Sequence, residues 1–445
     1  MRRIRLDIVV PVVFLLIAAF IFGFVGRDVA ANVSDPAKWV ASLELLPQRL
    51  EVAVAPEPDS RSVKTLPLVD TYSDVMYRLK ADYYGKTVDE RELTYSAIRG
   101  FLLALGDPFT RFLDPDEFKK MNEENKGNFT GIGAQLDTNK SNEVIVKEPL
   151  PDTPAMRAGV KSNDVILAVD GKIIKDMEID DVVKLIRGPE GTKVTLTMRR
   201  VGKPKPFDIA ITRRAVEFQM VKWRVVDAKN KLGYIRLYQF NEKSDIQFDQ
   251  ALNELDRQHI KGLILDLRGN PGGLLNIAID IGSRFLESGP VVIIQERGGR
   301  RSPYYVEEEK HNHRRLPLVV LVDGMSASAS EIVSGAIKDT GKGTLVGTTT
   351  FGKGRVQTIM QLQDGSAVLI TTAKYLTPNG TDIHKKGIKP DVFVEATDNF
   401  DPNDPATDVQ LAKGIDVLKV KMGLLPKSVL DKMKTAKAPE PAAKP

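Results

Sequence analysis

The feature that most constrains the fold is a set of short, almost purely aliphatic runs in the second half of the chain. The clearest are 262–267 and 316–322, where Val, Ile and Leu follow one another with little interruption. Strands of this composition are buried on both faces, which requires helices on either side of a mostly parallel sheet. Further runs extend the pattern at 232–237, 290–294 and 344–346. The sequence therefore predicts a layered α/β domain over residues 214–395.

A chain of 445 residues exceeds what one hydrophobic core usually supports, so further domains are expected. The residues outside 214–395 fall into segments with different sequence patterns. Residues 68–127 place apolar side chains at helical spacing and predict an N-terminal helical segment, interrupted at Gly106-Asp107-Pro108. Residues 128–213 are short β-branched runs with tight turns and one clear helix, Ile179–Ile186. They predict a compact β-rich domain, and a C-terminal helical segment is expected over 396–433.

The amino terminus predicts membrane attachment. An apolar run from Ile8 to Gly26 follows three arginines and is long enough to cross a bilayer of about 30 Å as a helix. The charge bias keeps the first residues in the cytoplasm and exports the rest. A cleavable signal peptide ending at Val29-Ala30-Ala31 is the alternative for residues 1–31. Proline-rich residues 32–67 are expected to form a linker, and residues 434–445 a disordered tail.

Composition excludes several classes of function. The chain has no cysteine, which rules out thiol catalysis, disulfides and thiolate metal sites. Its 64 basic and 59 acidic residues are interleaved, so no charge block predicts nucleic acid as a partner. His311 and His313 lie in a run of charged residues that is read as a solvated loop rather than a metal site. No metal or cofactor is predicted.

Ser328 is the candidate nucleophile. It follows a buried strand and begins an apolar-periodic run, which predicts a position at a helix N-terminus. There, free N–H groups and the helix dipole can stabilise an oxyanion. The alternative is structural, because Ser328 and Glu331 form a capping-box pattern, and Ser326 or Ser330 would fit the position as well.

Lys353 is the candidate general base. It stands between Gly352 and Gly354, which allow close approach of the backbone and an inward side chain, although a solvated loop lysine has the same signature. A buried amine loses charge and can then deprotonate a hydroxyl. Gln357, on a predicted strand over 356–362, could hydrogen-bond that amine, and a surface position on that strand is the alternative. The same loop lacks the Ser or Thr and the following helix of a phosphate-binding loop, which disfavours a nucleotide site.

Two glycine turns are candidate binding elements. The turn containing Gly272 and Gly273 ends a buried strand before an apolar helix, which suits donation of a backbone N–H to a developing negative charge. Sequence does not choose between the two glycines. Gly131-Ile132-Gly133 leads into a strand and suits capture of a peptide carboxylate, although a simple tight turn is the alternative reading.

Together these motifs resemble those of the carboxyl-terminal processing proteases from about Leu68 to about Leu425. Residues 128–213 resemble a PDZ domain of the bacterial protease type. The motifs outside that domain are Leu105–Phe109, Asp266–Gly273, Ser326–Glu331, Thr350–Gln357, Leu376–Gly380 and Gly387–Asp391. Gly269 and Arg355 depart from the usual residues of the family at positions that touch no proposed catalytic group.

The resemblance implies a crotonase/ClpP-like α/β protease core with an inserted PDZ domain. It implies Ser328 as nucleophile, Lys353 as base and Gln357 as its orienting amide, with an oxyanion hole from Ala329 and the 272–273 turn. Gly131, Ile132 and Gly133 would then hold the carboxylate of an apolar protein tail. Arg187, otherwise a helix-terminal cation, would couple that domain to catalysis.

The partners implied are protein substrates with exposed apolar C-termini, the cytoplasmic membrane, an activating adaptor and further copies of the chain. The location implied is periplasmic or extracytoplasmic. Two rivals stay open: a catalytically silent PDZ peptide-binding scaffold, and an acyl-CoA enzyme of the crotonase type, for which the sequence offers no CoA site.

Overall fold

The computed structural model describes residues 69–86, 89–139, 141–310, 316–397 and 407–434. The predicted membrane segment and linker, His311, His313 and the tail beyond 434 lie outside these ranges. The helices are α1 (Val69–Asp82), α2 (Glu90–Leu103), α3 (Pro115–Lys126), α4 (Pro154–Arg157), α5 (Ile179–Ile186), α6 (Glu242–Arg257), α7 (Leu275–Ser283), α8 (Ala329–Asp339), α9 (Val409–Lys421) and α10 (Lys427–Lys434).

The strands of the first half are β1 (Arg111–Leu113), β2 (Asn128–Gly131), β3 (Ala134–Thr138), β4 (Val144–Pro149), β5 (Val165–Val169), β6 (Lys172–Ile173), β7 (Lys193–Arg199), β8 (Phe207–Thr212) and β9 (Arg214–Glu217). Those of the second half are β10 (Val221–Asp227), β11 (Leu232–Leu237), β12 (Gly262–Asp266), β13 (Pro290–Glu296), β14 (Arg301–Tyr305), β15 (Leu318–Val322), β16 (Gly343–Gly347), β17 (Arg355–Gln361), β18 (Ala367–Leu376) and β19 (Val392–Phe393). A 3-10 turn spans Glu308–Lys310.

The core of the second half is one sheet in the order β10-β11-β12-β15-β16-β19, parallel from β11 to β19. Every residue of β12, β15 and β16 is buried, as their aliphatic composition predicts. Helices α6, α7 and α8 cover one face. Helix α9 covers the other, with Leu411, Val417 and Leu418 buried against it. The predicted α/β layering is confirmed.

A second sheet, antiparallel, packs beside this core in the order β1-β18-β13-β14, with β17 paired to β18. Strand β1 lies within the segment predicted to be helical and pairs with Ala367–Leu369 of β18. The helical prediction was therefore wrong for Arg111–Leu113. A three-residue strand carries too little periodicity to detect, and only the partner strand, far away in sequence, fixes its conformation.

Residues 128–217 form the β-rich domain. Its sheet has the order β3-β4-β5-β7-β8, with β6 on β5, and the ribbon of β2 and β9 connects it to the rest of the chain. Its own core includes Val146, Val182 and Leu196, each fully buried. The predicted helix is observed as α5 at the same bounds. Strand β3 is at the edge of the sheet, which leaves one of its sides unpaired.

Among the residues that the structure describes, we find no helix with the length and apolar character needed to span a bilayer. The predicted span at residues 8–26 is not among them.

Candidate active site

Three neighbouring parallel strands of the core position the candidate site. The loop with Gly272 and Gly273 follows β12, Ser328 follows β15, and Lys353 follows β16. Because parallel strands end at the same edge of a sheet, residues far apart in sequence meet there. The sheet therefore brings the predicted nucleophile, base and oxyanion turn to one edge.

Ser328 has a strained backbone. It is the residue before α8, with φ +54° and ψ −114°, a conformation that non-glycine residues rarely adopt. Such strain persists only where the surrounding structure enforces it, and it is common in nucleophiles at a sharp strand-to-helix turn. The side chain is half-buried at the helix N-terminus. A simple helix cap does not require this conformation.

Glu331 is the contact that enforces it. Its carboxylate is fully buried and accepts hydrogen bonds from the hydroxyl of Thr350 at 2.6 Å and from the N–H groups of Gly352 at 2.8 Å, Lys353 at 2.9 Å and Ser328 at 3.0 Å. The hydroxyl of Tyr375 lies at 3.4 Å from the same carboxylate. The capping box foreseen from sequence is thus present, but the same carboxylate also binds the loop of the base. One side chain ties the two halves of the candidate dyad together.

Tyr375, on β18 of the antiparallel sheet, also contacts the loops of Ser328 and Lys353. Its buried hydroxyl is within hydrogen-bonding range of the carbonyl oxygens of Ser328, at 3.1 Å, and of Lys353. Burial, and then the charge of Glu331, raises the pKa of the phenol well above its ordinary value, so the hydroxyl remains a donor. The backbones of nucleophile and base are therefore fixed by two buried side chains.

The ammonium of Lys353 lies in a half-buried environment, with Nζ 5.1 Å from the centre of the Phe109 ring. Burial, followed by the charge of Arg111, lowers the pKa of this lysine below its ordinary value, while Glu331 and Asp107 oppose the shift. Within the described residues, no hydrogen bond joins Nζ to Ser328 or to Gln357. Lys353 therefore has the lowered pKa expected of a base, but no hydrogen bond to the candidate nucleophile.

Gln357 lies on β17, as predicted, but its amide donates to the hydroxyl of Thr371 at 3.4 Å rather than to Lys353. Thr371 in turn binds Asp107. Although burial opposes its ionisation, hydrogen bonds from Thr371 and then Thr110 hold the pKa of Asp107 below its ordinary value. The predicted orienting amide therefore belongs to a network with Asp107 in this structure.

The glycine turn lies against the nucleophile. A Cβ on Gly272 would lie 2.8 Å from Cβ of Ser328 and 2.9 Å from the nitrogen of Ala329. Gly272 donates its N–H to Oδ1 of Asn270 at 2.9 Å. The N–H groups of Gly273 and Ala329 donate to no acceptor in the described part of the chain. Ala329, next to Ser328, and the glycine turn that packs against Ser328 therefore each have one free N–H group.

The Gly131–Gly133 loop of the β-rich domain also has backbone N–H groups without an acceptor. The carbonyl oxygens of Ile132 and Gly133 accept hydrogen bonds from Ala155 and from Thr153. The N–H groups of Ile132 and Gly133 donate none to other described residues. The loop leads directly into edge strand β3, with α5 packed beside it. A free strand edge, a neighbouring helix and unused N–H groups suit an extended peptide with a terminal carboxylate.

Arg187 follows the last residue of α5 and points out of the β-rich domain. Its guanidinium binds Glu123 of α3 at 2.9 Å and lies 5.1 Å from the centre of the Phe129 ring. Glu123 precedes the domain in sequence and Phe129 lies on β2 of the connecting ribbon, so Arg187 joins the domain to the helix beside it. It is more than a cation at the end of a helix dipole.

Comparison with known proteins identifies the family. Residues 231–394 match the model of peptidase family S41, and residues 145–200 match a PDZ domain. The carboxy-terminal-processing protease of Bartonella bacilliformis is 40% identical over 330 residues, which cover 73% of this chain and 74% of that protein. This chain belongs to the carboxyl-terminal processing proteases of family S41.

Other relatives give the same result. The carboxyl-terminal-processing protease of Synechocystis is 38% identical over 344 residues, covering 76% of this chain and 80% of that protein. Carboxy-terminal processing protease CtpA of Bacillus subtilis is 36% identical over 356 residues, covering 77% and 75%. The resemblance seen in the motifs of this S41 chain is confirmed over most of its length.

Sequence reasoning missed several residues of this S41 site. Glu331 was assigned only as a helix cap, and Phe109, Arg111 and Tyr375 were assigned no role. A buried glutamate with several donors cannot be distinguished from a surface cap by spacing alone. The Leu105–Phe109 motif was a usable signal, because a glycine, a proline and an aromatic residue between helices rarely serve only as a linker.

Proposed function

We propose that this S41 peptidase is an exported serine endopeptidase that cleaves proteins near their C-termini through a Ser328–Lys353 dyad. The observation that carries the proposal is the convergence of a strained serine, a lysine of lowered pKa and two unused N–H groups at one sheet edge. Residues 1–26 have the charge and length of a membrane anchor, which favours a protease acting outside the cytoplasm.

The chemistry would proceed by acyl transfer. Oγ of Ser328 attacks the scissile carbonyl and passes its proton to neutral Nζ of Lys353. The oxyanion accepts hydrogen bonds from the N–H groups of Ala329 and Gly273, because that of Gly272 is already used by Asn270. Collapse expels the amine, which takes the proton from Lys353. Water, deprotonated by the same lysine, then hydrolyses the ester and regenerates Ser328.

The dyad must close before it can act. The ammonium of Lys353 lies over Phe109 and makes no hydrogen bond to Ser328, and a nearby aromatic ring favours the charged form. We propose that productive binding of a substrate brings Nζ to Oγ. Glu331 holds both backbones through this change, so only the lysine side chain has to move.

The PDZ domain would select the substrate. An unfolded tail would pair with β3, place its carboxylate on the N–H groups of Ile132 and Gly133, and pack an apolar residue against α5. The Arg187–Glu123 pair connects this groove with α3 and so offers a route from tail binding to the protease core. An adaptor and self-association remain part of the proposal.

The test uses the full chain in nonionic detergent and a peptide with an apolar C-terminal residue, as the free acid and as the amide. We expect wild type to cleave the acid form faster, and Ser328→Ala and Lys353→Ala to be inactive. Lys386→Ala, an exposed lysine near the same loop, serves as the control. Equal cleavage by wild type and all variants would refute the proposed dyad. Tight binding without cleavage by wild type would favour the scaffold.

Equal rates for acid and amide would refute recognition of the carboxylate alone and leave the dyad intact. The two halves of the proposal are therefore tested separately.

A further inference from the structure

A second concentration of charge lies on β10 and β11, which carry none of the dyad residues. Lys222 and Arg224 project from the same face of β10 as Tyr234 and Arg236 from β11, because side chains alternate along each strand. In the register of the pair, Lys222 is directly opposite Arg236 and Arg224 is opposite Tyr234. Like charges placed directly opposite each other destabilise a strand pair.

In the part of the chain that the structure describes, no carboxylate forms an ion pair with these cations, although Asp266 is directly opposite Arg236 on the adjacent strand. The carboxylate of Asp266 already binds Arg268 at 2.6 Å and accepts a hydrogen bond from the hydroxyl of Tyr234 at 2.7 Å. Nε and Nη2 of Arg224 and Nε of Arg236 are buried and donate to no acceptor among the described residues. A buried guanidinium nitrogen without an acceptor is costly.

Two buried arginines elsewhere in this chain are paired with carboxylates. Arg268 binds Asp266 and Asp408 through short hydrogen bonds. Arg284 binds Asp245 and Asp249. Nη1 of Arg284 also has no acceptor among the described residues, but the fold supplies carboxylates to the other nitrogens of both groups. The lack of a carboxylate partner is therefore what distinguishes the arginines of this strand pair.

Aromatic rings hold the unpaired groups in place. The guanidinium of Arg224 lies 5.1 Å from the centre of the Tyr234 ring, and that of Arg236 lies 4.9 Å from the Tyr238 ring. A guanidinium packed on a ring face still offers its N–H groups at its edge. These side chains, with Lys222, Gln219 and Trp223, line a cavity of about 270 Å³. The side chains of both arginines therefore border a space large enough for a small anion.

We propose that this cavity is a binding site for a phosphate group. A tetrahedral anion offers oxygen atoms in several directions and matches donors from two arginines and a lysine. A carboxylate has its two oxygen atoms in one plane and is served by a single guanidinium. The phosphate belongs either to a free anion or to the head group of an anionic lipid, because both present the same oxygen atoms.

The experiment measures the melting midpoint of the full chain in nonionic detergent against sodium phosphate, with sodium acetate and sodium chloride at equal ionic strength. A ligand that binds only the folded state raises the midpoint with concentration, which gives its apparent affinity. Arg224→Gln and Arg236→Gln are compared with Lys229→Gln/Lys231→Gln, which removes two exposed charges from the turn of the same hairpin.

We expect phosphate to stabilise the wild type beyond acetate, and each arginine variant to weaken its affinity at least about tenfold. The double-lysine control should stay within about twofold, since exposed charges are screened by salt. Circular dichroism without phosphate shows whether each variant is folded. Monomeric dihexanoyl phosphatidylglycerol, compared with dihexanoyl phosphatidylcholine, then separates a lipid head group from free phosphate, and either source supports the site.

The proposal is overturned if neither phosphate nor phosphatidylglycerol stabilises the protein beyond acetate. It is also overturned if the folded arginine variants respond as wild type does, or if the lysine control loses as much affinity as they do.

Discussion

The edge of the sheet that carries Ser328 and Lys353 differs from the β10–β11 strand pair in how its buried charged atoms are hydrogen-bonded. Glu331 is fully buried, and both of its oxygen atoms accept hydrogen bonds from the nucleophile and base loops. Arg224 and Arg236 have buried nitrogens with no acceptor among the described residues. A satisfied buried charge fixes structure, whereas an unsatisfied one marks a place where a ligand completes the bonding. Glu331 organises the proposed catalytic edge, and we assign the site of Arg224 and Arg236 to phosphate.

The strongest test of this contrast is Glu331→Gln. The amide keeps the size but replaces one acceptor with an NH₂ group that faces N–H donors. We expect the free energy of unfolding to fall by about 1–3 kcal/mol for each donor left unpaired. We also expect kcat/KM to fall at least about a hundredfold, because the nucleophile and base lose their alignment. Urea denaturation and peptide cleavage measure the two effects.

Glu254→Gln, on the exposed side of α6, is the matched control and should change neither quantity. Near-normal activity of Glu331→Gln would mean that the carboxylate acts as a helix cap only.

Gly272→Ala comes next in expected effect. The new methyl would meet the carbonyl oxygen of Ala327 at 2.7 Å and Cβ of Ser328 at 2.8 Å. We expect kcat to fall about tenfold to a hundredfold, because the oxyanion turn is displaced from the nucleophile. Gly269→Ala is the control, since Gly269 also has positive φ, +70°, but no atom lies within 4 Å of the added methyl. Equal losses in both variants would implicate backbone strain instead.

Arg111→Gln tests the electrostatics of the base. In the proposed dyad Lys353 acts in its neutral form, so activity should rise as the pH rises through its pKa, which burial and the charge of Arg111 lower. Removing Arg111 allows that pKa to rise, so the limb of the kcat/KM profile should move to higher pH. Activity near neutral pH then falls a few-fold while the plateau is kept.

Arg91→Gln removes an exposed charge from α2 and should leave the limb in place. A limb that does not move, or moves to lower pH, would contradict the assignment of Lys353 as the titrating base.

The smallest expected effect concerns the cationic strand pair. Lys222→Gln removes one of two like charges directly opposite each other, so the unfolding free energy in phosphate-free buffer of low ionic strength should rise by about 0.2–1 kcal/mol. The gain should shrink in high salt. Lys229→Gln, on the turn of the same hairpin, should show no comparable gain. Destabilisation by Lys222→Gln would mean that this face is not under electrostatic repulsion.

The sequence by itself determined the elements that local composition controls. The aliphatic runs predicted buried parallel strands, the periodic run at 179–186 predicted α5, and the motifs around Ser328 and Lys353 indicated the family. These inferences succeed because strand burial and helix periodicity are properties of neighbouring residues. Reliance on neighbouring residues also led to the wrong helical assignment at Arg111–Leu113, because the partner strand of this segment is far away in the sequence.

Only the tertiary structure decided how the parts are connected. It gave Glu331 contacts with two loops, left Nζ of Lys353 without a hydrogen bond to Ser328 among the described residues, and joined Gln357 to Thr371. It also placed Lys222 opposite Arg236 without a carboxylate between them. Contacts of this kind depend on strand register and on the order of strands in the sheet. Those are set by packing across the whole core, and no window of sequence contains them.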